Sequence, residues 1–243
     1  MIMSWQLRLI DHIHAIVRTL DSVAEMWVFG SAAEPDLMDR WSDIDVGVVL
    51  RADLDLGALV TSIGQVWVHE SSSDGDGSTH RLVFTDGRRL DLVVADHADL
   101  AGRGGRRLSL PDRAAGRAPK ARATLSLPPL DEDVRQARFL AALASIKIAR
   151  GDLLIGTHLT LELAQLCLVQ AMLLRDHDEG RTSHRFGTPR DRLAEQILQV
   201  TRRPAGPDWI TVITDLTEHF DRCHQERDRD YRPDWSGLRA LGA

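Results

Sequence analysis

Two aspartates one position apart are the residues of this sequence best suited to chemistry. Asp43 and Asp45 stand at the start of an apolar run that continues to Leu50. Side chains alternate between the two faces of a strand, so both carboxylates project to the same side. Two carboxylates held that close repel each other unless a cation lies between them. With oxygen-only ligands the natural cation is Mg²⁺, which takes one or two carboxylates together with substrate phosphates.

A glycine and a serine could form the phosphate-binding part of such a site. Gly30 and Ser31 directly follow an apolar run that ends at Phe29. A glycine lets backbone N–H groups approach an anion closely, and a helix that starts there points its positive end at the anion. Asp91 adds a third carboxylate in an otherwise apolar stretch, where a lone charge is costly without a partner or a metal.

Each of these residues also has an ordinary structural explanation. Asp43 could simply start a strand, and the Gly-Ser pair could form a simple turn. Asp91 could pair with a neighbouring arginine, Arg88 or Arg89. Several carboxylates that converge in chain order on successive strands nevertheless favour a functional site. The sequence therefore predicts Asp43, Asp45 and Asp91 as metal ligands.

Periodicity predicts the elements that position these residues. Apolar residues recur at helical spacing between about Trp5 and Leu20. Short strands rich in β-branched residues follow, and Asp86-Gly87 is typical of a hairpin turn. The predicted strands are MWVFG, DIDVGVVL, QVWVHE, HRLVF and RRLDLVVA. A helix is predicted for LDLGALVTSIG and a mobile loop for SSSDGDGST, which together indicate a mixed-sheet α/β domain over residues 1–102.

The rest of the chain divides into a basic segment and a helical half. Residues 103–129 are rich in Gly, Pro, Ala and Arg, and we interpret them as a linker. A solvated connection is favoured there over a phosphate-gripping arm, because charge runs are usually solvated. Residues 130–243 repeat apolar residues at helical spacing, which predicts a helical bundle. The expected fold class is thus an α/β domain followed by an all-α domain.

Composition excludes several classes of protein. The chain has 243 residues, 43% hydrophobic and 27% charged, as in ordinary globular proteins. Its apolar stretches are short and its N-terminus lacks the order of a signal peptide, so we expect a cytoplasmic protein without a membrane span. Cys167 and Cys223 are too few for a disulfide framework. A formal net charge of −6 argues against a general nucleic-acid binder and suits a small cationic acceptor.

The order of the motifs resembles the polymerase-beta-like nucleotidyltransferase superfamily. That family has a Gly-Ser pair followed by an Asp-x-Asp flanked by hydrophobic residues, here separated by eleven residues, and a third carboxylate on a later strand. The resemblance implies that Asp43 and Asp45 bind Mg²⁺. It also places Gly30, Ser31 and Ser42 against a nucleoside triphosphate, with ATP as the donor. An acceptor hydroxyl would attack the α-phosphorus in line and expel pyrophosphate.

The stretch RFLAALASIKIARGDLLIGTHL resembles the opening of the helical domain in bacterial antibiotic nucleotidyltransferases of the streptomycin and lincosamide type. By that likeness Lys147 contacts phosphates and Arg150 supports it, although both are equally explained as charges on a helix surface. The likeness implies a small-molecule hydroxyl acceptor, such as an aminoglycoside or a lincosamide, and a role in antibiotic resistance. Acidic residues, Glu162 among them, would attract a polyamine acceptor.

The identity of the general base is open between two carboxylates. Asp91 could serve as metal ligand, as base or as both. Glu162, on an apolar helix face, could line a cleft between the domains or simply face solvent. Two other functions also stay open: a toxin-antitoxin nucleotidyltransferase that modifies a protein or tRNA, and a catalytically silent relative that binds a nucleotide. The sequence does not predict an oligomeric state.

Overall fold

The computed structural model of the chain describes residues 4–74, 77–111, 121–182, 186–203, 206 and 208–242. The chain divides into two compact units, Met1–Pro129 and Leu130–Ala243. The first unit is built on a mixed β-sheet, and the second is helical. This confirms the predicted fold class of an α/β domain followed by an all-α domain.

The N-terminal unit begins with a helix and then alternates strands with short helices. Its helices are α1 (Trp5–Val17), α2 (Gly30–Ala33), α3 (Leu56–Ile63) and α4 (His97–Gly102). Its strands are β1 (Val23–Phe29), β2 (Ile44–Leu50), β3 (Leu54–Asp55), β4 (Val66–Asp74), β5 (Gly77–Phe84), β6 (Arg89–Val94), β7 (Arg106–Leu108) and β8 (Ala123–Thr124). The Ser4 hydroxyl caps α1 by accepting a hydrogen bond from the Leu7 N–H, which fixes where that helix starts.

Six of the strands form one sheet in the order β4-β5-β6-β2-β1-β7. The central pair, β2 and β6, is parallel, and the other neighbouring pairs are antiparallel. The parallel pair aligns the start of β2 with the start of β6, since Ile44 lies opposite Leu90. Carboxylates that follow these residues in each strand are therefore brought to the same edge of the sheet.

The two faces of this sheet differ in what covers them. One face packs on α1 and α3 through a large apolar core that includes Ile13, Val46 and Leu92. The opposite face carries Asp45 and has a smaller apolar cluster, made of Trp27, Phe29, Val93 and Leu100. Leu100 belongs to α4 and is fully buried, so this short helix is held down on the face that carries the carboxylates.

The strand predictions differ from the structure mainly in length. The stretch SSSDGDGST was predicted as a mobile loop. Its residues 71–74 and 77–79 instead extend the two arms of the β4–β5 hairpin, with Asp74 opposite Gly77, and residues 75 and 76 lie outside the described residues. Cross-strand backbone pairing has overridden the low strand propensity of Ser and Gly there. The predicted turn at Asp86-Gly87 is present between β5 and β6, and Gly87 has a φ of 80°.

The segment 103–129, predicted to be a linker, contributes two short strands to the N-terminal unit. β7 pairs antiparallel with β1, and β8 pairs parallel with β3 in a separate two-stranded sheet. The Arg122 N–H also donates to the Asp53 side chain, at 2.8 Å. An exposed edge of a sheet offers unpaired backbone groups, and residues of almost any composition can satisfy them.

The C-terminal unit is a helical bundle. Its helices are α5 (Glu132–Ala149), α6 (Leu153–Glu179), α7 (Arg192–Thr201), α8 (Trp209–Arg227) and α9 (Ser236–Leu241). One set of polar side chains inside the bundle is hydrogen-bonded internally: Gln170 donates to Asp133 at 2.7 Å and accepts from Arg227. Within the described ranges, α6 is the one helix long and apolar enough to cross a membrane by length and composition, a test that core helices of soluble proteins also pass.

Candidate active site

Two of the predicted carboxylates are direct neighbours across the parallel strand pair. Asp45 of β2 lies opposite Asp91 of β6 in the register of the sheet. Both are partly buried and project to the same face, because their flanking residues Ile44, Val46 and Leu92 point into the large core. The chain order of the two strands could be predicted from the sequence, whereas their adjacency required the tertiary fold.

The third carboxylate, Asp43, stands just before β2 and is paired with an arginine. Its Oδ2 lies 3.6 Å from Nη1 of Arg89, whose side chain is only 8% exposed. Arg89 also donates from Nη2 to the Trp41 carbonyl oxygen, so its guanidinium ties the approach to β2 to the start of β6. The neighbouring turn is thereby held in place beside Asp43.

Asp91 has an arginine partner from the other side. Nε of Arg81 on β5 lies 3.5 Å from Oδ2 of Asp91, and Nη1 of Arg81 lies 3.7 Å from Glu70 on β4. Arg81 is opposite Asp91 in one register and opposite Glu70 in the other. A row of charged residues therefore crosses the sheet from Glu70 through Arg81 to Asp91, and it ends at a second carboxylate, Asp45.

The Gly-Ser turn adjoins Asp45. Phe29, the last residue of β1, lies opposite Asp45, and α2 begins at the next residue. Gly30 has a φ of 52°, and a Cβ at this position would lie 2.8 Å from Oδ2 of Asp45. Only glycine combines this backbone conformation with so close an approach of the carboxylate. Ser31 is partly exposed at the same turn.

Ser42, predicted to contact the nucleotide, has a different role in the structure. It is 1% exposed, and its hydroxyl donates to Asp39 Oδ1 at 3.1 Å while accepting from the Asp39 N–H at 3.0 Å. Gln6 of α1 donates to the Asp39 carbonyl at 2.7 Å. Ser42 thus closes the turn that leads into β2, and its hydroxyl is engaged within the protein rather than presented to a ligand.

The carboxylates raise one another's pKa values. Burial, followed by repulsion from Asp43 and Asp45, raises the pKa of Asp91 from its ordinary 3.8 to about 6. Burial also raises the pKa of Asp45, and the charge of Asp43 adds to that effect. The arginines act in the opposite direction without cancelling the shift. Such mutual repulsion is the electrostatic signature of a site that gains from binding a cation.

The donor set fits a hard divalent cation. Asp43, Asp45 and Asp91 offer oxygen only, from adjacent positions on neighbouring strands, and this is the ligand chemistry that Mg²⁺ takes. Among the described residues, no three His, Cys, Asp or Glu side chains are already grouped closely enough to enclose a metal ion. Two of the three carboxylates instead face arginines, which balance their charge.

Three predicted site residues belong to the C-terminal unit. Lys147, in the last turn of α5, has its Nζ 3.4 Å from Asp152. Arg150 is the residue that follows α5, and its backbone N–H donates to the last turn of that helix. Glu162 on α6 is partly exposed, with Oε1 3.4 Å from His158 Nε2. Their predicted roles towards the nucleotide or the acceptor stay predictions.

The sequence analysis missed Arg81, and it named Arg89 as a possible partner of Asp91 rather than of Asp43. Arg89 is two positions before Asp91 on β6, so strand alternation alone could have placed both on one face. The pairing partner was harder to predict, because Arg89 reaches across to Asp43 and leaves Asp91 to Arg81. No local pattern marks Arg81, which meets Asp91 only through the register of β5 on β6.

Comparison with known proteins places a family match on this part of the chain. Residues 10–97 match the family model described as nucleotidyltransferase domain. No curated protein matches the chain in sequence. A solved structure described as an aminoglycoside 6-adenyltransferase from Bacillus subtilis is similar over 96% of this chain and 95% of its own, with 10% identity and a TM-score of 0.34. A similarity that weak does not bear on the substrate of this chain.

Proposed function

We propose that this chain is a polymerase-beta-like nucleotidyltransferase that transfers AMP from ATP to a hydroxyl group of a small molecule such as an aminoglycoside or a lincosamide antibiotic. The match of residues 10–97 to the nucleotidyltransferase domain model supports this premise. One observation carries the proposal further: Asp45 and Asp91 lie side by side on parallel strands, next to a glycine turn that leaves room for them. This is an arrangement suited to a cation and a phosphate at one place.

Asp43 and Asp45 are the residues that would hold Mg²⁺, with Asp91 as a third ligand. When bound, the cation would neutralise charge on the phosphate oxygens as pyrophosphate departs. Gly30 would present its backbone N–H to a phosphate, since it carries no side chain on the side of Asp45. Ser31 would donate its hydroxyl to the same phosphate group.

The transfer itself needs one bond made and one broken. The acceptor oxygen forms a bond to the α-phosphorus while the bond from that phosphorus to the bridging oxygen breaks, and pyrophosphate leaves. The hydroxyl proton passes to a carboxylate. Asp91 suits this task because its pKa, raised to about 6, lies near neutrality.

The formal net charge of −6 and the acidic cluster favour a cationic acceptor. An aminoglycoside, which is a polyamine with several hydroxyl groups, fits that charge better than a neutral acceptor. Among the alternatives raised by the sequence, a catalytically silent relative would have no need of three repelling carboxylates. The carboxylates therefore support an active enzyme.

The experiment is a transfer assay with ATP labelled on its α-phosphate and a panel of aminoglycosides and lincosamides. We expect Mg²⁺-dependent labelling of at least one acceptor and equimolar release of pyrophosphate by the wild-type chain. Asp45→Asn should abolish labelling while retaining the fold, since it removes a charge without changing shape. Near-normal transfer by both Asp43→Asn and Asp45→Asn would contradict the assignment of the site.

A further inference from the structure

The basic segment that follows α4 has a place in the structure that the proposed function leaves unexplained. Arg103, Gly104 and Gly105 connect α4 to β7, which itself begins with Arg106 and Arg107. By sequence this segment is best interpreted as the start of a solvated linker. In the structure it is part of the N-terminal unit and runs along the same edge as the Gly-Ser turn.

The register of β7 on β1 determines where the segment lies. Val28 is opposite Arg106 in this antiparallel pair, so Gly105 follows beside Phe29 and Gly104 beside Gly30. A Cβ on Gly105 would lie 2.3 Å from the Phe29 ring and 2.7 Å from the Val28 carbonyl oxygen, which shows how closely the two backbones approach. Gly104 makes the turn from α4 with a φ of 70°.

Helix α4 directs Arg103 towards the carboxylates. Leu100 is fully buried. A Cβ on Gly47 would meet both the Phe29 ring and the methyl groups of Leu100, so Leu100 packs directly over this glycine of β2. Arg103 is three residues further on, and side chains at this spacing share one face of a helix. Burial and the charge of Asp43 raise the pKa of Asp45, and Arg103 is one of two arginines whose charge acts against that rise.

The arginines around the carboxylates differ in whether their charge is already balanced. Arg89 faces Asp43, and Arg81 faces Asp91 and Glu70. Arg107 lies 3.5 Å from Glu25.

Arg103 is exposed, and among the residues that the structure describes it forms no ion pair. It is therefore the cation of this cluster whose charge is available to a ligand.

We infer that Arg103 binds the β- and γ-phosphate groups of the donor nucleotide and the pyrophosphate that they become. The inference rests on the proposed function, since it concerns the donor of that reaction. A guanidinium beside the Gly-Ser turn meets the phosphate oxygens in pairs and supplies charge-assisted hydrogen bonds. Arg103 thus adds a phosphate contact to those of Gly30 and Ser31. Because this contact is made to the β- and γ-phosphates, the site prefers a nucleoside triphosphate to a nucleoside monophosphate.

Arg106 provides a matched control in the same segment. Alternation along β7 places Arg106 on the face of Leu108, which packs against the large core, and not on the face of Arg107. Like Arg103 it is exposed and forms no ion pair within the described part of the chain. Removing its charge tests the general effect of losing one arginine near the site.

The experiment titrates the full-length chain calorimetrically with ATP, tripolyphosphate and AMP, each in the presence of Mg²⁺. We compare wild type with Arg103→Gln, Arg103→Lys and Arg106→Gln. Loss of a charge-assisted contact should weaken binding of ATP and tripolyphosphate to Arg103→Gln by about tenfold or more. AMP affinity should be unchanged, Arg103→Lys should retain part of the triphosphate affinity, and Arg106→Gln should match wild type.

The results separate this inference from the proposed function. If wild type binds ATP and Arg103→Gln binds it equally well, the inference is overturned and the transferase proposal stands. Equal weakening in the Arg103→Gln and Arg106→Gln variants would also overturn it, because the effect would then be general charge. If the wild-type chain binds no nucleoside triphosphate, the proposed function is overturned, and the inference falls with it.

Discussion

At the scale of single residues, the carboxylate cluster is a balance between repulsion and arginine pairing. Asp45 and Asp91 are neighbours, and the charges of Arg89 and Arg103 act on Asp45. Arg81 contacts Asp91, and Arg89 contacts Asp43. These contacts, at 3.5 and 3.6 Å, are long for ion pairs. A divalent cation between the carboxylates would compensate more charge at shorter range. We therefore regard the arginines as partners that hold the carboxylates in position for a cation.

Replacing Asp91 by Asn should stabilise the fold at neutral pH while removing activity. The pKa of Asp91 is about 6 in the folded chain, above its ordinary 3.8, so the folded state binds the proton more tightly than the unfolded state. Stability from this group is therefore present at low pH and is lost as the pH rises from about 4 to 6. Without Mg²⁺, we expect the free energy of unfolding of Asp91→Asn to exceed that of wild type at pH 7.5 by up to about 3 kcal/mol, since each pKa unit corresponds to about 1.4 kcal/mol.

Urea denaturation of both chains at pH 4 and pH 7.5 measures this effect. The advantage of Asp91→Asn should shrink at pH 4, where wild-type Asp91 is protonated. Asp36→Asn, at an exposed carboxylate of the same unit, is the control and should change neither value. A variant that is less stable than wild type at pH 7.5 would show that pairing with Arg81 outweighs burial and repulsion.

Gly30→Ala should disturb Asp45 directly. The added methyl would lie 2.8 Å from Oδ2 of Asp45, and the φ of 52° is unfavourable for any residue with a Cβ. The left-handed conformation alone costs roughly 1–2 kcal/mol.

Gly151→Ala is the matched control for Gly30→Ala, because Gly151 has a φ of 77° with no atom within 4 Å of the Cβ position. Both variants should lose stability in urea denaturation, but only Gly30→Ala should also lose Mg²⁺-dependent ATP binding. Equal ATP binding by the two would remove Gly30 from the site.

The convergence of the carboxylates could be predicted from residue types, but the partners of those residues could not. Carboxylates in apolar runs stand out, so Asp45 and Asp91 were identifiable from sequence alone. The family resemblance places Ser42 against the nucleotide, yet its hydroxyl is buried against Asp39. Whether a hydroxyl is engaged by the protein or left for a ligand depends on loop geometry, which the sequence pattern does not encode.

At the scale of elements, the site depends on the pairing of strands that are far apart in the sequence. β2 and β6 pair in parallel although the β4–β5 hairpin lies between them in the chain. Longer elements with clear periodicity, such as α1 and β6, were predicted close to their observed bounds. β7 was not predicted, since three residues carry no periodic signal and their strand structure comes from the exposed edge of β1.

Leu100→Ala should show that α4 is held on the sheet by this side chain. Leu100 is fully buried in the small cluster with Trp27 and Phe29, so truncation leaves a cavity. The expected loss in the free energy of unfolding is about 2–4 kcal/mol by urea denaturation. Leu37→Ala is the control, because Leu37 is 66% exposed. A loss at Leu100 as small as at Leu37 would mean that the helix is not anchored there.

At the scale of the whole molecule, the two units carry different kinds of evidence about function. The N-terminal unit contains the family match and the converging carboxylates. The C-terminal unit holds Lys147 and Arg150, whose predicted roles rest on a resemblance in sequence, and Glu162, whose predicted role rests on its place in an apolar helix. The helical fold of that unit could be predicted from periodicity, because buried positions repeat along α5 and α6. The acceptor could not, since the specificity of a pocket depends on a few side chains that no pattern marks.

The general base can be assigned by comparing one carboxylate from each unit. Asp91 is largely buried, and burial raises its pKa to about 6, near the value that serves a base at neutral pH. Glu162 has a side chain that is 43% exposed and lies 3.4 Å from His158, as expected for a solvated pair on a helix surface. We therefore expect the single-turnover rate of Asp91→Asn to fall by about 10²-fold or more, whereas Glu162→Gln should stay within about twofold of wild type.

His158→Gln is the control for disturbing the surface pair, and it should behave like Glu162→Gln. The measurement is the single-turnover rate as a function of pH at saturating ATP, together with ATP affinity, for each variant. The assignment would be contradicted if Glu162→Gln bound ATP normally but lost two orders of magnitude in rate while His158→Gln was unaffected. That result would identify Glu162, and not Asp91, as the general base.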